Sequence, residues 1–413
     1  MKNKPALNLL FTANGISGFA QGISMLAIPW YFTRIHANTY FNIAYGIITI
    51  GVLFFGLYAG TLVDRFSRKN NFLVVSLVCG LLLALISCIG FYQQSLSDFL
   101  VVSVFGITML NYNIHYPTLY AFGQEISSVE DYGKVNANIE VVGQSISILS
   151  GGIAALMLEG GRFSLAGFEF GFEPWPIWEI FLLNAATYFA AALLISFIQY
   201  VPVATKYVEV NIYQRIKTGF VYLKANPQLL VFGLFSYSVF AMLLVEIHSV
   251  LPAYVDKHLH EKGSVFAISD GIYAVGALCA GLFVNKVFQS SRTQQAIILL
   301  TLLTAGIFIW AFATRSVLVI YSVNLVLGFT NAGIRVLRLT HLFNNIPNEL
   351  MGRVNSIFNM ANLLVRTLFI FLFSLPFFNF GNQVIWAFLI MALFLIASAL
   401  VLMVNHSRQT LLK

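Results

Sequence analysis

Runs of about twenty predominantly apolar residues, the length an α-helix needs to cross a bilayer, recur from one end of the chain to the other, with polar, Gly or Pro punctuation between them. We read twelve such runs, near residues 7 to 33, 41 to 63, 71 to 93, 98 to 124, 135 to 158, 179 to 202, 228 to 254, 264 to 288, 294 to 313, 316 to 343, 354 to 378 and 383 to 404. The composition agrees, because 59% of the 413 residues are hydrophobic and only 9% are charged. A soluble domain carries about a quarter charged residues, so this chain could not solvate its own surface in water. The expected fold class is an all-α membrane protein with twelve transmembrane helices. A transmembrane barrel would show segments of about ten residues alternating in polarity, and none is visible. The first run lacks a small-residue cleavage site and contains Asn14 and Gln21, so it reads as a retained helix, not a signal peptide.

Charge sets the expected topology. Lys2, Lys4, Arg65, Arg68, Lys69, Lys134, Lys206, Arg215, Lys217, Lys224, Lys286, Arg292, Arg353, Arg408 and Lys413 fall on the N-terminal side of the spans. The opposite loops hold only Arg34, Arg162, Lys257, Lys262 and Arg315. By the positive-inside rule both termini are cytoplasmic and the chain is a multi-pass protein of the cytoplasmic (inner) membrane. The net charge of +7 then reports topology and does not imply a nucleic-acid partner. Cys79, Cys88 and Cys279 all sit in apolar runs, as small buried hydrophobes and not a disulfide framework.

The chain reads as two halves, residues 1–202 and 228–413, joined by a cytoplasmic linker at 203–227. Within the linker, NIYQRIKTGFVYLKANP mixes Lys and Arg with Ile212, Ile216, Phe220 and Leu223 on one helical face, the pattern of an interfacial amphipathic helix. The halves resemble each other. Gly133, Lys134, Val135 and Asn136 recur as Gly352, Arg353, Val354 and Asn355, and GTLVDR (Gly60 to Arg65) has a faded counterpart in GLFVNK (Gly281 to Lys286) at nearly the same offset. Parallel repeats of this kind build a transporter fold in which two halves rock about a midplane site.

GTLVDRFSRK (Gly60 to Lys69), between the second and third runs, resembles the signature loop of the major facilitator superfamily. It matches at Gly60, Leu62, Asp64, Arg65, Arg68 and Lys69 and departs at Ser67, where the family usually has Gly, a residue better suited to a tight turn. The resemblance implies a cytoplasmic gate at Gly60, Asp64, Arg65 and Arg68. Within the superfamily, His115 to Leu158 looks like the fourth-to-fifth span region of the branch of macrolide-efflux proteins and the enterobactin exporter. That branch implies an efflux antiporter of an amphipathic or anionic small molecule, of drug or siderophore type.

A charge inside a span is costly and tends to face a bundle interior or a wet cavity. Glu246, Glu140 and Asp270 are therefore proton-coupling candidates. Glu246 lies six residues before Pro252, deep enough in its span to be shielded, and burial penalises a carboxylate relative to its neutral acid, as a reversible proton carrier requires. Each has a plainer reading: Glu246 as the partner of an arginine across the bundle, Glu140 at the favourable end of a helix dipole, and Asp270 hydrated near the outer end of its span. Arg335 and Arg338 share a face, and a guanidinium fork suits an anionic substrate, although Arg338 could instead snorkel to the interface. Asn355, Asn359, Asn362 and Arg366 form one polar face of the eleventh run, and Asn14, Ser17, Gln21 and Ser24 a similar stripe in the first. Asn14, Gln21, Arg335, Arg338, Asn359, Asn362 and Arg366 are the substrate-cavity candidates, with hydrogen-bonded helix contacts as the alternative.

No Walker loop, GxGxxG, HExxH, EF-hand or GxSxG elbow is present, which argues against an enzyme and implies no cofactor. The seven histidines are scattered; only His258 and His260, near Asp256 and Glu261, come close together, and an ordinary solvated loop is expected there, with no metal site. The expected partners are a small-molecule substrate, protons as coupling ion and the lipid bilayer, with the chain acting as a monomer. A lipid or lysophospholipid flippase of the same fold and a transporter-like receptor without turnover are the alternatives.

Overall fold

The computed structural model describes residues 3–128, 131–165, 168–200, 212–287 and 293–411. Helices fill most of that length: α1 (Lys4–Arg34), α2 (Asn38–Arg65), α3 (Arg68–Gln93), α4 (Asp98–Glu125), α5 (Tyr132–Glu159) and α6 (Ile177–Ser196), then α7 (Ile212–Ala225). Next come α8 (Pro227–Phe235), α9 (Ser238–Val245) and α10 (Leu251–Ala253), followed by α11 (Gly263–Val287), α12 (Thr293–Ala313), α13 (Val317–Asn345), α14 (Asn348–Ser374), the short α15 (Pro376–Asn379) and α16 (Ile385–Leu411). Among the described residues eleven helical stretches are long and apolar enough to cross a membrane, one of them the series Pro227–Leu259. The chain is a multi-pass, all-α membrane protein. α1 has 31 residues but is not among the eleven, since Asn14, Ser17, Gln21 and Ser24 dilute its apolar character.

One local feature is new and one departs from the sequence reading. The segment after α5 forms a hairpin of β1 (Gly161–Leu165) and β2 (Phe168–Phe172), antiparallel with Gly161 opposite Phe172. The region around His258 is also ordered, not a solvated loop: Tyr254–Leu259 is π-helical, and His258 is buried against the Tyr254 ring with Asn382 as its hydrogen-bond partner.

The described chain clusters into two units. The first takes residues 1–37, 47–208 and 262–271; the second takes 38–46, 209–261 and 272–413. Each therefore includes the opening turns of a helix whose remainder belongs to the other. In the first unit α1 packs on α4, α5 and α6, and α3 on α4 and α6. Its apolar core includes Leu7, Leu10, Phe72, Leu119, Phe122 and Ile195. In the second, α12 packs on α13 and α16, and α14 on α7 and α9. There α11 and α13 approach backbone to backbone: a Cβ on Gly276 would lie 2.0 Å from Leu325 O, and one on Gly328 2.0 Å from Tyr273 O. Small residues permit that approach between spanning helices.

The linker helix shows why face assignment from spacing alone fails here. Leu223 is buried, but Phe220 is exposed, and Gly219 takes the inward position beside it. A Cβ at Gly219 would lie 3.1 Å from the Arg353 carbonyl, so α7 seats against α14 through the residue with no side chain. The Ile212 side chain and residues 203–211 of the linker lie outside the described residues.

Candidate functional site

In the first unit the polar stripe of α1 is a ladder of hydrogen bonds. Asn14 Oδ1 lies 2.9 Å from His115 Nε2, Asn111 Nδ2 donates to Gln21 Oε1 at 3.2 Å and to Tyr188 Oη at 3.1 Å, and Asn184 Nδ2 donates to Ser24 Oγ at 3.0 Å. Asn14 and Gln21 are both buried. The structure thus brings these two cavity candidates into contact with α4, and Asn14, Gln21 and Ser24 tie α1 to α4 and α6, while Ser17 Oγ has no hydrogen-bond partner among the described residues. Every member is neutral or, for histidine, able to be so, which suits a rigid helix contact in a low-dielectric interior.

The signature loop is also in this unit. Ser67 sits at φ −60° and ψ 142°, extended backbone that needs no glycine, and its Oγ accepts the Asn70 N–H at 3.3 Å. The strain expected from losing the family's Gly does not arise; the serine caps α3 instead. Lys69 Nζ donates to Ser196 O at 2.7 Å and Ile198 O at 2.8 Å, placing a cation on the carbonyls that end α6. Arg68 is half-buried beside them. The side chains of Gly60, Asp64 and Arg65 lie outside the described residues, as does that of Glu140.

Asp270 belongs to the same unit through the start of α11. Ser147 Oγ on α5 donates to its Oδ2 at 3.1 Å, and a Cβ on Gly151, one turn further along α5, would lie 2.6 Å from Ala267 O. At the end of α5, Glu159 Oε1 accepts Trp30 Nε1–H at 3.1 Å and the Gly263 N–H at 2.9 Å. Ser147, Gly151 and Glu159 therefore hold the first turns of α11 at three successive levels. The sequence reading did not single out Trp30, Gly151, Glu159 or Gly263. Their one shared signal, small or hydrogen-bonding residues at helical spacing, is common to most helix contacts.

In the second unit the stretch read as one uninterrupted span, 228 to 254, is an irregular series. α8 stops at Phe235 and α9 begins at Ser238, and the helix is π-wound over Glu246–Val250 and again over Tyr254–Leu259. The break has a local cause. Ser236 Oγ donates to Gly233 O at 3.2 Å, occupying the carbonyl that the Tyr237 N–H would take in a continuous helix. Gly233 also admits the Phe358 ring, which would lie 1.9 Å from a Cβ placed there. Gly and Ser close together are a usual cause of a sharp helix kink, and that was the legible signal. The first π segment, Glu246–Val250, precedes Pro252, whose missing N–H leaves the preceding turn without its regular bond.

Three sequence-nominated residues converge on the break. Arg338 Nη1 donates to Ser236 O at 2.9 Å while its guanidinium lies 3.5 Å from the Tyr237 ring centroid. Asn362 Nδ2 donates to Tyr237 O at 3.2 Å, and the Tyr237 hydroxyl donates to Asn355 Oδ1 at 2.9 Å. Arg338 is buried and bound here, so it does not snorkel to an interface. Arg335 and Asn359 are exposed on α13 and α14. Further along, Glu246 is fully buried at the start of its π segment, against which α14 packs. Tyr45, carried by the opening of α2, donates to Leu244 O at 3.1 Å and meets the His248 ring edge-on at 5.7 Å. Arg366 is buried on α14, close enough to act electrostatically on both Tyr45 and His248. No group of three or more His, Cys, Asp or Glu suited to a metal ion occurs among the described residues.

The pattern that defines the Major Facilitator Superfamily matches residues 10–370. Among proteins of known role, the chain is similar to the enterobactin exporter EntS of Shigella boydii serotype 4 (strain Sb227), 25% identical over 377 residues that cover 88% of this chain and 83% of the relative. Among solved structures it resembles a D-xylose–proton symporter, with TM-score 0.71 at 14% identity over 96% of each chain. It also resembles the nucleoside transporter NupG, with TM-score 0.69 at 13% identity over 97% of this chain and 99% of the other. At such identities the structural likeness speaks for the fold alone.

Proposed function

The chain belongs to the Major Facilitator Superfamily and is a transporter of small molecules, and from that premise we propose that it exports an amphipathic or anionic compound, of drug or siderophore type, in exchange for protons. The observation that carries this reading is a fully buried carboxylate, Glu246, in an irregular spanning helix of a chain alignable over 88% of its length with an exporter. Charge in such a place is expensive unless it is used, and a carboxyl that alternates between a dry and a wetted state can take up and release a proton.

In this reading the protein lies in the inner membrane with twelve spans and both termini cytoplasmic. Residues 1–202 and 228–413 form the two halves, joined at 203–227, and alternate access to a common site. Glu246 carries the proton, with Asp270 and Glu140 next in order. Arg335 and Asn359, exposed in the second unit, have the placement a substrate contact needs. Gly60, Asp64, Arg65 and Arg68 serve the cytoplasmic gate.

The test is proton movement in proteoliposomes under an imposed pH gradient, scanning macrolides, siderophores and organic anions with wild type and Glu246→Gln. Substrate-triggered proton flux that disappears in the variant is the expected outcome. Equal flux in both proteins removes Glu246 from the mechanism and moves the role to Asp270 or Glu140. Substrate entry only, in right-side-out vesicles, would overturn the exporter reading.

A further inference from the structure

Near the end of α16 an open groove of about 300 Å³ runs against α8, lined by Val231 of α8 and by Leu400, Val401, Val404, Asn405 and Arg408 of α16. A bond between the two helices fixes its walls, with Asn405 Nδ2 donating to Gln228 O at 3.0 Å. The lining is graded along the helix. Leu400, Val401 and Val404 are exposed apolar side chains of the spanning stretch Ile385–Arg408, and Arg408 is exposed in the last turn. A helix rises about 12 Å over that distance, so one end of the groove faces hydrocarbon while the other carries a cation. Nothing acidic answers the cation. Among the described residues no carboxylate pairs with Arg408, and neither α8 and α16 nor their neighbours α7 and α12 contain an Asp or Glu. Lys224, exposed in the last turn of α7 just before α8 begins, adds a second cation at the same end.

We propose that this groove is a binding site for one acidic glycerophospholipid, its phosphate on Arg408 and an acyl chain along Val231, Leu400, Val401 and Val404. A groove among exposed apolar residues of a spanning helix is filled by a lipid chain or by protein, and the charge decides between them. A second copy of this chain, related by a twofold axis along the membrane normal, would bring its own Arg408 to the same end, cation against cation. An acidic lipid brings the complement in the right order, an anion at the level of the helix end and an apolar chain below it. Guanidinium offers phosphate a planar two-pronged donor that an ammonium group lacks. A zwitterionic lipid would return a positive charge to the neighbourhood of Arg408 and Lys224, and free phosphate would leave the apolar part of the groove unused. The site lies wholly within the second unit and does not depend on the substrate, on proton coupling or on the direction of transport.

Native mass spectrometry of the full chain, delipidated in detergent and titrated with dioleoyl phosphatidylglycerol or dioleoyl phosphatidylcholine, tests the site. The first phosphatidylglycerol is expected to bind roughly fivefold more tightly than phosphatidylcholine, the effect of one basic side chain near an anionic headgroup. Arg408→Gln should erase that preference and leave phosphatidylcholine binding unchanged, while Arg408→Lys should retain part of it. Arg315→Gln, which removes an exposed arginine from the opposite end of α12, should keep the preference whole. Val404→Trp should fill the groove and weaken both lipids, each variant being checked for a wild-type melting profile. Equal binding of the two lipids to wild type overturns the proposal, as does a preference that survives Arg408→Gln or is lost equally in Arg315→Gln. Displacement of the lipid by inorganic phosphate would reduce the site to an anion site and overturn the lipid assignment. A dimer that forms on delipidation and is broken by Val404→Trp would make a second copy the occupant, and overturn it too.

Discussion

α1 and the helical series Pro227–Leu259 both carry polar residues, yet the two use them in opposite ways. α1 runs unbroken for 31 residues, and its Asn14, Gln21 and Ser24 bond to neutral side chains on α4 and α6. The series Pro227–Leu259 is broken at Ser236–Tyr237 and π-wound around Glu246, and its break is held by the charged Arg338 together with Asn362. Neutral side-chain bonds between regular helices are individually weak and redundant, so they set packing. Backbone carbonyls held by a guanidinium concentrate much more free energy in one place, and a helix that has already surrendered its regular bonds there can change its bend at low cost.

The contrast can be tested by substitution, with stability read from reversible unfolding in mixed micelles. Arg338→Met should cost about 2 to 3 kcal/mol, since a charge-assisted bond and a ring stack are lost together. Gly151→Ala pushes a Cβ to 2.6 Å from Ala267 O, and overpacking of that kind should cost about 1 to 3 kcal/mol. Cross-linking α5 to the start of α11 should show the same variant loosening that contact. Asn111→Leu removes one rung of the α1 ladder and a bond from α4 to α6, and should cost only about 1 kcal/mol, as interhelical bonds in membranes generally do. A loss equal to that of Arg338→Met would break the comparison between the two helices. Smallest of all, Ser67→Gly restores the family's usual residue and should still lower stability by a few tenths of a kcal/mol, because the α3 cap is lost. A rise in stability would show that the turn, not the cap, dominates at Ser67.

Much of the fold was legible because a bilayer leaves few choices. Apolar runs of spanning length must be helices, and the repeat of Gly133–Asn136 as Gly352–Asn355 returns at the openings of α5 and α14. The polar stripes were legible as stripes, since spacing fixes which residues share a helix face. What they face was not. Asn14 and Gln21 carry the same pattern as Asn355 and Asn362, but the first two meet neutral side chains, whereas Asn355 and Asn362 close on the side chain and the carbonyl of Tyr237 at a helix break. Likewise Phe220 satisfied the apolar periodicity of α7 and still points outward, because Gly219 is what the approach to α14 requires.

By itself, then, the sequence determined a membrane-spanning, all-helical chain with an internal repeat and a superfamily signature, all of which rest on composition and local spacing. The tertiary structure alone decided which polar groups meet, where the Pro227–Leu259 series breaks, and that residues 38–46 and 262–271 each join the unit opposite the rest of their own helix. Those outcomes depend on distances between residues far apart in the chain. The bond from Arg338 to Ser236 spans 102 positions and that from Asn362 to Tyr237 spans 125, separations over which helical periodicity carries no information.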